Sequence, residues 1–203
     1  MPSERKSSRG IVLDGDEVVL IRRVKKGTEY WVTPGGGLED GEQPEQALDR
    51  ELDEELNIKV SGARLVLEVR SIVSGVLQHD FYFLAQLVSG AVDTIKGPEA
   101  ERASGDNVYE PRKVTLQQLA EIELVPQYVK ELIQKILRGE QVEMMTLNLV
   151  PDEQGSNTFT KQKTTSGDMI NCIVVKRNLV IRGKHVEKER RLKPNLNQNS
   201  LQI

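Results

Sequence analysis

The chain holds a single cysteine, Cys172, among its 203 residues. One cysteine excludes an intramolecular disulfide and any zinc site built from several thiolates. No apolar run approaches the roughly 18 residues that a membrane span requires, so no membrane association is expected. The opening residues Met1-Pro2-Ser3-Glu4-Arg5-Lys6 lack the apolar core of a signal peptide, and a cytoplasmic protein is the expectation. There is no internal repeat. What the composition does supply, 37% apolar and 29% charged residues, is ordinary for a globular protein. The length suits one domain, or one domain with an appendage.

Charge is divided unevenly. Residues 1–140 hold 18 Lys and Arg against 25 Asp and Glu, whereas residues 141–203 hold 10 against 6. The acidic part suits bound cations better than nucleic acid, and no nucleic-acid partner is expected. The basic run Lys184–Lys193 has no interleaved aromatics and reads as a solvated segment.

Short apolar runs, Gly10–Leu13 and Glu17–Ile21, flank Asp14-Gly15-Asp16, and Asp-Gly tolerates the positive φ of a hairpin turn. A further strand is expected at Tyr30–Thr33, ending in Pro34-Gly35-Gly36-Gly37. A helix is then predicted from Pro44 to Leu56, with Leu48, Leu52 and Leu56 as its buried stripe. Ala63–Val73 and Val76–Val88 read as long strands, and 89–112 as a polar loop. Thr115 is placed to cap a short helix through Leu119, and Pro126–Leu137 reads as an amphipathic helix. This order fits an α/β fold, a sandwich with a mixed β-sheet, over residues 1–140. Residues 141–203 read as a C-terminal extension in which Asn171–Val175 and Leu179–Arg182 form one hairpin.

The chemistry concentrates on the first helix. Glu51, Glu54 and Glu55 stand at i, i+3 and i+4, so one helix face presents three carboxylates. Like charges so spaced repel, and a hard divalent cation with a preference for oxygen ligands removes that penalty. Arg50 precedes Glu54 by four residues, where its planar fork can orient a carboxylate. An acidic helix face is usually just solvated. Here, however, a glycine loop stands directly before the helix, and its backbone can approach a metal or phosphate closely.

These residues resemble the Nudix family, whose box runs G-x5-E-x7-R-E-U-x-E-E-x-G-U with U a bulky aliphatic residue. Gly36, Glu42, Arg50, Glu51, Leu52, Glu54, Glu55, Leu56 and Ile58 match, and Asn57 stands where the family has glycine. That glycine closes the helix in a left-handed conformation, which asparagine tolerates better than other side chains. The resemblance covers roughly the first two-thirds of the chain and implies the family's α/β/α sandwich. It implies that Glu51, Glu54, Glu55 and the Gly36 carbonyl ligate Mg²⁺ or Mn²⁺. Glu42 would bind metal or support the cluster, Arg50 would orient carboxylates, and Glu99 or Glu101 would supply a further ligand or base. The implied reaction is hydrolysis of a nucleoside diphosphate linked to some moiety X, by water whose pKa the metal lowers.

Other features carry two readings each. Tyr30, Trp31 and Tyr109 are candidates for contact with a nucleotide, although a strand aromatic more often belongs to the core. His79 and His185 are isolated, and Cys172 lies in an apolar run suited to a buried small residue. Gly35-Gly36-Gly37 lacks the Gly-Lys-Ser/Thr of a P-loop and the third glycine of a dinucleotide fingerprint. Sugar-nucleotide hydrolases of the family often carry a proline where this chain has Ser74, and dinucleoside-polyphosphate hydrolases a tyrosine where it has Val76. The resemblance therefore leans toward a MutT-like enzyme taking an ordinary or oxidised nucleoside triphosphate to monophosphate and pyrophosphate. An ADP-ribose or other sugar-nucleotide pyrophosphatase is the alternative within the class, and a non-hydrolysing nucleotide-binding module the alternative outside it. The expected partner is a small-molecule nucleotide, and a homodimer stays open.

Overall fold

A computed structural model describes residues 4–150 together with segments 157–161 and 170–174. Strands β1 (Glu4–Asp14) and β2 (Glu17–Lys25) form the expected hairpin, with Gly15 at φ 63° in its turn. Their pairing is brief, running only from Val12↔Val19 to Asp14↔Glu17. Beyond it β2 turns away and pairs instead with β3 (Thr28–Val32). The wedge left between β1 and β3 is filled by the glycine loop. Ser8 N–H donates to Gly36 O and Gly10 N–H to Pro34 O, each at 2.9 Å.

The rest of the sheet grows from the other edge of β1. It pairs in parallel with β5 (Val76–Ser89), which is antiparallel to β4 (Lys59–Val73). β4 in turn pairs in parallel with β7 (Met145–Asn148), and β8 (Asn157–Lys161) and β9 (Ile170–Val174) follow antiparallel. Among the described residues the mixed sheet has nine strands.

Helix α1 (Pro44–Leu56) covers one face. Leu48, Leu52 and Leu56 are fully buried against Val12, Val19, Ile58 and Phe83. Each such side chain contributes about 1.5–3 kcal/mol of burial. Helices α3 (Leu116–Glu121) and α4 (Gln127–Leu137) cover the other face. There Leu119, Val129, Leu132 and Ile133 pack on Ile11, Leu20, Val66 and Val69. The Thr115 hydroxyl accepts from Gln118 N–H at 3.3 Å, capping α3 as its sequence implies. This is the anticipated α/β/α sandwich.

Two expectations are corrected. The polar loop over 89–112 contains helix α2 (Gly97–Glu101), and strand β6 (Asn107–Thr115) begins inside it. β6 lies along β2 from Lys25↔Asn107 to Glu17↔Thr115. It reads as loop because an edge strand tolerates polar residues and a proline, here Pro111 opposite Ile21. Within the stretch expected as an extension, Met145 and Leu147 of β7 are buried in the main core. The first strand of the expected tail hairpin corresponds to β9, which pairs with β8; Leu179–Arg182 lies outside the described residues. Among the described residues no helix is long and apolar enough to cross a membrane.

Candidate active site

Helix α1 enters the site already aligned. Gln43 N–H donates to Gln46 Oε1 at 3.0 Å at the helix start, and the buried Ser8 hydroxyl of β1 donates to Pro44 O at 2.7 Å. With the leucine stripe facing the sheet, Glu51 and Glu55 fall on its flank while Glu54 points further out, its side chain about half exposed. At the far end Asn57 adopts φ 53° and donates to Asp53 O at 2.8 Å, with Ile58 N–H reaching Leu52 O at 3.3 Å. Asparagine thus closes the helix as the glycine of the box would.

The glycine loop closes over the carboxylates. Gly35 N–H donates to Glu55 Oε2 at 2.9 Å, and the Arg9 guanidinium donates to Gly35 O. A Cβ on Gly36 would lie 2.4 Å from the Glu51 carboxylate, so any larger residue there would push that side chain from its place against Arg50. Arg50 ties the remaining groups together. It grips Glu42 with two bonds of 2.9 Å, and its other contacts are Glu51 Oε1 at 3.0 Å, Glu54 Oε2 at 3.1 Å and Gly37 O at 2.8 Å.

The same contacts set the electrostatics. Arg50, ahead of the Glu39 N–H, holds the Glu42 carboxyl below its ordinary range. Burial raises the Glu51 carboxyl even though Arg50 opposes it, with Glu54 and Glu99 adding repulsion. Burial also pushes Glu55 up to about 7 against the pull of Gly35 N–H and Arg9. One buried and one partly buried carboxyl held above their normal range suit a dication, which favours their charged forms. All four carboxylates and the backbone carbonyls are hard oxygen donors, so the residues fit Mg²⁺ or Mn²⁺. Among the described residues no three ligands converge as a ready-made metal cluster, because Arg50 stands between Glu51 and Glu54.

Beside this helix lies a cleft of about 310 Å³. Glu51, Glu55 and Glu99 line it together with Arg5, Arg9, Arg23, Arg102 and Tyr109. Glu99 therefore reaches the cleft and Glu101 does not. α2, which carries Glu99, hangs from the end of α1. Lys96 N–H donates to Glu55 O at 2.6 Å, and Gly97, at φ 65°, passes close to Glu54 O. Tyr109 faces the cleft from β6, fixed opposite Arg23, rather than from a loop. Tyr30 stands outside the lining, 5.9 Å from the Arg23 guanidinium. Trp31 lies elsewhere. One residue along β3 reverses the face, and it packs on the main core beneath α3 and α4. His79 is a buried strand residue whose Nε2 is 2.6 Å from Glu68 Oε1; His185 lies outside the described residues. The cleft arginines were not anticipated. Strand alternation alone puts Arg23 on the face of Ile21, and that was the available signal.

A mixed-sheet sandwich with an arginine-braced carboxylate helix under a glycine loop defines the structural class. The NUDIX domain model matches residues 4–134, and the chain belongs to the Nudix family. An RNA pyrophosphohydrolase of Pseudomonas aeruginosa is 39% identical over 59 residues, 28% of this chain and 36% of that protein. The 8-oxo-dGTP diphosphatase of Proteus vulgaris is 57% identical over 37 residues, 18% of this chain and 33% of the other. The chain thus spans about a third of the length of these curated relatives. Among solved structures, a NUDIX hydrolase from Nitrosomonas europaea superposes with TM-score 0.54 at 19% identity, covering 69% of this chain and 93% of that one. The MutT protein of Bacillus halodurans gives 0.52 at 19% identity, covering 75% and 94%. These two likenesses concern the fold. Nudix hydrolases generally use divalent cations such as Mg²⁺ or Mn²⁺.

Proposed function

We propose that this chain is a Mg²⁺- or Mn²⁺-dependent hydrolase of a nucleoside diphosphate linked to X, with a nucleoside triphosphate, ordinary or oxidised, as its substrate. The products are then the monophosphate and pyrophosphate. The observation carrying this reading is the pair of carboxylates set against the Gly35–Gly37 backbone, Glu55 buried beneath Gly35 N–H and Glu51 partly buried and braced by Arg50. Glu51, Glu54, Glu55 and the Gly36 carbonyl would hold the cation, and Glu42 anchors the arginine that spaces them. A bound cation supplies Lewis-acid polarisation of a phosphoryl oxygen and an acidified water. Arg50 keeps Glu51 and Glu54 oriented, while the glycine loop leaves room for a phosphate to approach. Glu99, on the cleft wall, is the candidate to take a proton from the attacking water. The relatives named RNA pyrophosphohydrolase and 8-oxo-dGTP diphosphatase support a phosphoanhydride in a nucleotide as the bond cut.

The test is a substrate panel with Mg²⁺ and then Mn²⁺, scoring pyrophosphate and orthophosphate release. It includes ordinary and oxidised deoxynucleoside triphosphates, ADP-ribose, other sugar nucleotides and dinucleoside polyphosphates. Metal-dependent pyrophosphate release from triphosphates, abolished by EDTA, is the expected result. Preferred turnover of ADP-ribose would transfer the assignment to a sugar-nucleotide pyrophosphatase. Silence across the panel would favour a non-hydrolysing nucleotide-binding module.

A further inference from the structure

The cleft carries cations that the carboxylate site leaves unused. β2 presents two neighbouring arginines with opposite fates. Arg22, on one face, is paired with Glu29 at 2.6 Å and Glu110 at 3.1 Å. Arg23, on the other, lines the cleft and has no carboxylate partner among the described residues. Its guanidinium lies 3.5 Å from the centroid of the Tyr109 ring, and one nitrogen reaches Asn107 Oδ1 at a long 3.3 Å. Its Nε is buried without any hydrogen-bond partner. A buried donor left unpaired costs roughly 1–3 kcal/mol, and no group of the protein offsets that cost at Arg23. Arg5 and Arg9 line the same cleft; neither forms an ion pair among the described residues, though Arg9 donates to Gly35 O and favours the charged form of Glu55. Arg102 adds a fourth cation, tied loosely to Glu99 at 3.3 Å.

We propose that Arg23, held over the Tyr109 ring, is the specificity-determining residue of the cleft and, with Arg5 and Arg9, binds the phosphate groups of an anionic X. This rests on the hydrolase reading and narrows it. Four arginines share one cleft with Glu51, Glu55 and Glu99, and a divalent cation bound at the carboxylates leaves the whole clearly positive. A triphosphate chain answers that charge, whereas a diphosphate joined to a neutral sugar leaves the arginines unmatched. The planar guanidinium suits phosphate oxygens in pairs, and the Tyr109 ring fixes its plane at little entropic cost. Tyr109 is accordingly a positioning residue.

Binding of inorganic tripolyphosphate to the full chain in EDTA, followed by titration calorimetry, separates this proposal from the hydrolysis itself. Arg23→Ala is expected to weaken that binding at least tenfold, and Arg22→Ala to change it by less than twofold. Tyr109→Phe keeps the ring and should bind like the parent, whereas Tyr109→Ala should weaken binding. Under turnover conditions Arg23→Ala should raise KM for a nucleoside triphosphate about tenfold and leave KM for ADP-ribose within twofold. Equal tripolyphosphate binding by parent and Arg23→Ala overturns the proposal. So does parent binding of an uncharged nucleoside with no binding of tripolyphosphate, which would make Tyr109 a base-stacking shelf. If no substrate is turned over but tripolyphosphate binding still depends on Arg23, the hydrolase reading fails and the anion site stands.

Discussion

Glu55→Gln is expected to make the metal-free protein more stable at alkaline pH while destroying its activity. Glu55 is only 7% exposed, and its carboxyl is pushed from an ordinary 4.5 to about 7, chiefly by burial. Between those values the unfolded chain has released the proton and the folded chain has kept it. The unfolded state therefore binds fewer protons, and stability falls as pH rises through that window. A gap of about 2.5 units at about 1.4 kcal/mol each gives a loss on the order of 3 kcal/mol by pH 8. Glutamine has the same shape, carries no charge at any pH, and its carbonyl can still accept from Gly35 N–H. Its new amide donors must be satisfied, which subtracts about 1 kcal/mol if they are not. The assay is urea or thermal denaturation in EDTA at pH 5 and pH 8, parent against variant. The parent should lose roughly 6–12 °C more than the variant between the two, at the 2–4 °C per kcal/mol typical of this size. Saturating Mg²⁺ should restore the parent at pH 8 and do much less for Glu55→Gln. Parallel pH profiles for the two proteins would refute the claim that this carboxylate is held at a cost for the cation.

Gly36→Ala places a Cβ 2.4 Å from the Glu51 carboxylate without demanding a left-handed backbone, so turnover should fall at least about 100-fold while circular dichroism stays unchanged. Retention of activity would show that Glu51 is free to move aside. At the helix end, Asn57→Gly should be neutral or stabilising by a few tenths of a kcal/mol, and Asn57→Ala should cost about 1 kcal/mol, because φ is 53° there. Both should leave kcat alone; equal stability of the two variants in denaturant titrations would count against the left-handed cap.

What was legible in the sequence was what local chemistry specifies. Proline at the first helical position and leucines four apart place α1 at Pro44–Leu56, as observed. Asp-Gly places the first hairpin, and Thr115 places α3. The elements misread were those whose identity comes from distant partners. β6 has polar residues and Pro111, and only pairing with β2 makes it a strand. β7 is four residues long, and parallel pairing to β4 with burial of Met145 and Leu147 is what attaches it to the fold.

The same division runs through the site. Glu51, Glu54, Glu55 and Arg50 lie within six residues of one helix, so their chemistry is written in one stretch of sequence. The rest of the cleft lining comes from β1, β2, β6 and Arg102 just after α2, with Arg23 and Tyr109 meeting across 86 positions of chain. No spacing rule joins them, and only β2–β6 register does. On the proposed reading, the helix that holds the cation can stay constant while the rest of the cleft lining changes what X must be. It follows that substrate choice in this chain should respond to substitutions at Arg23 and Tyr109, and loss of the reaction itself to substitutions on α1.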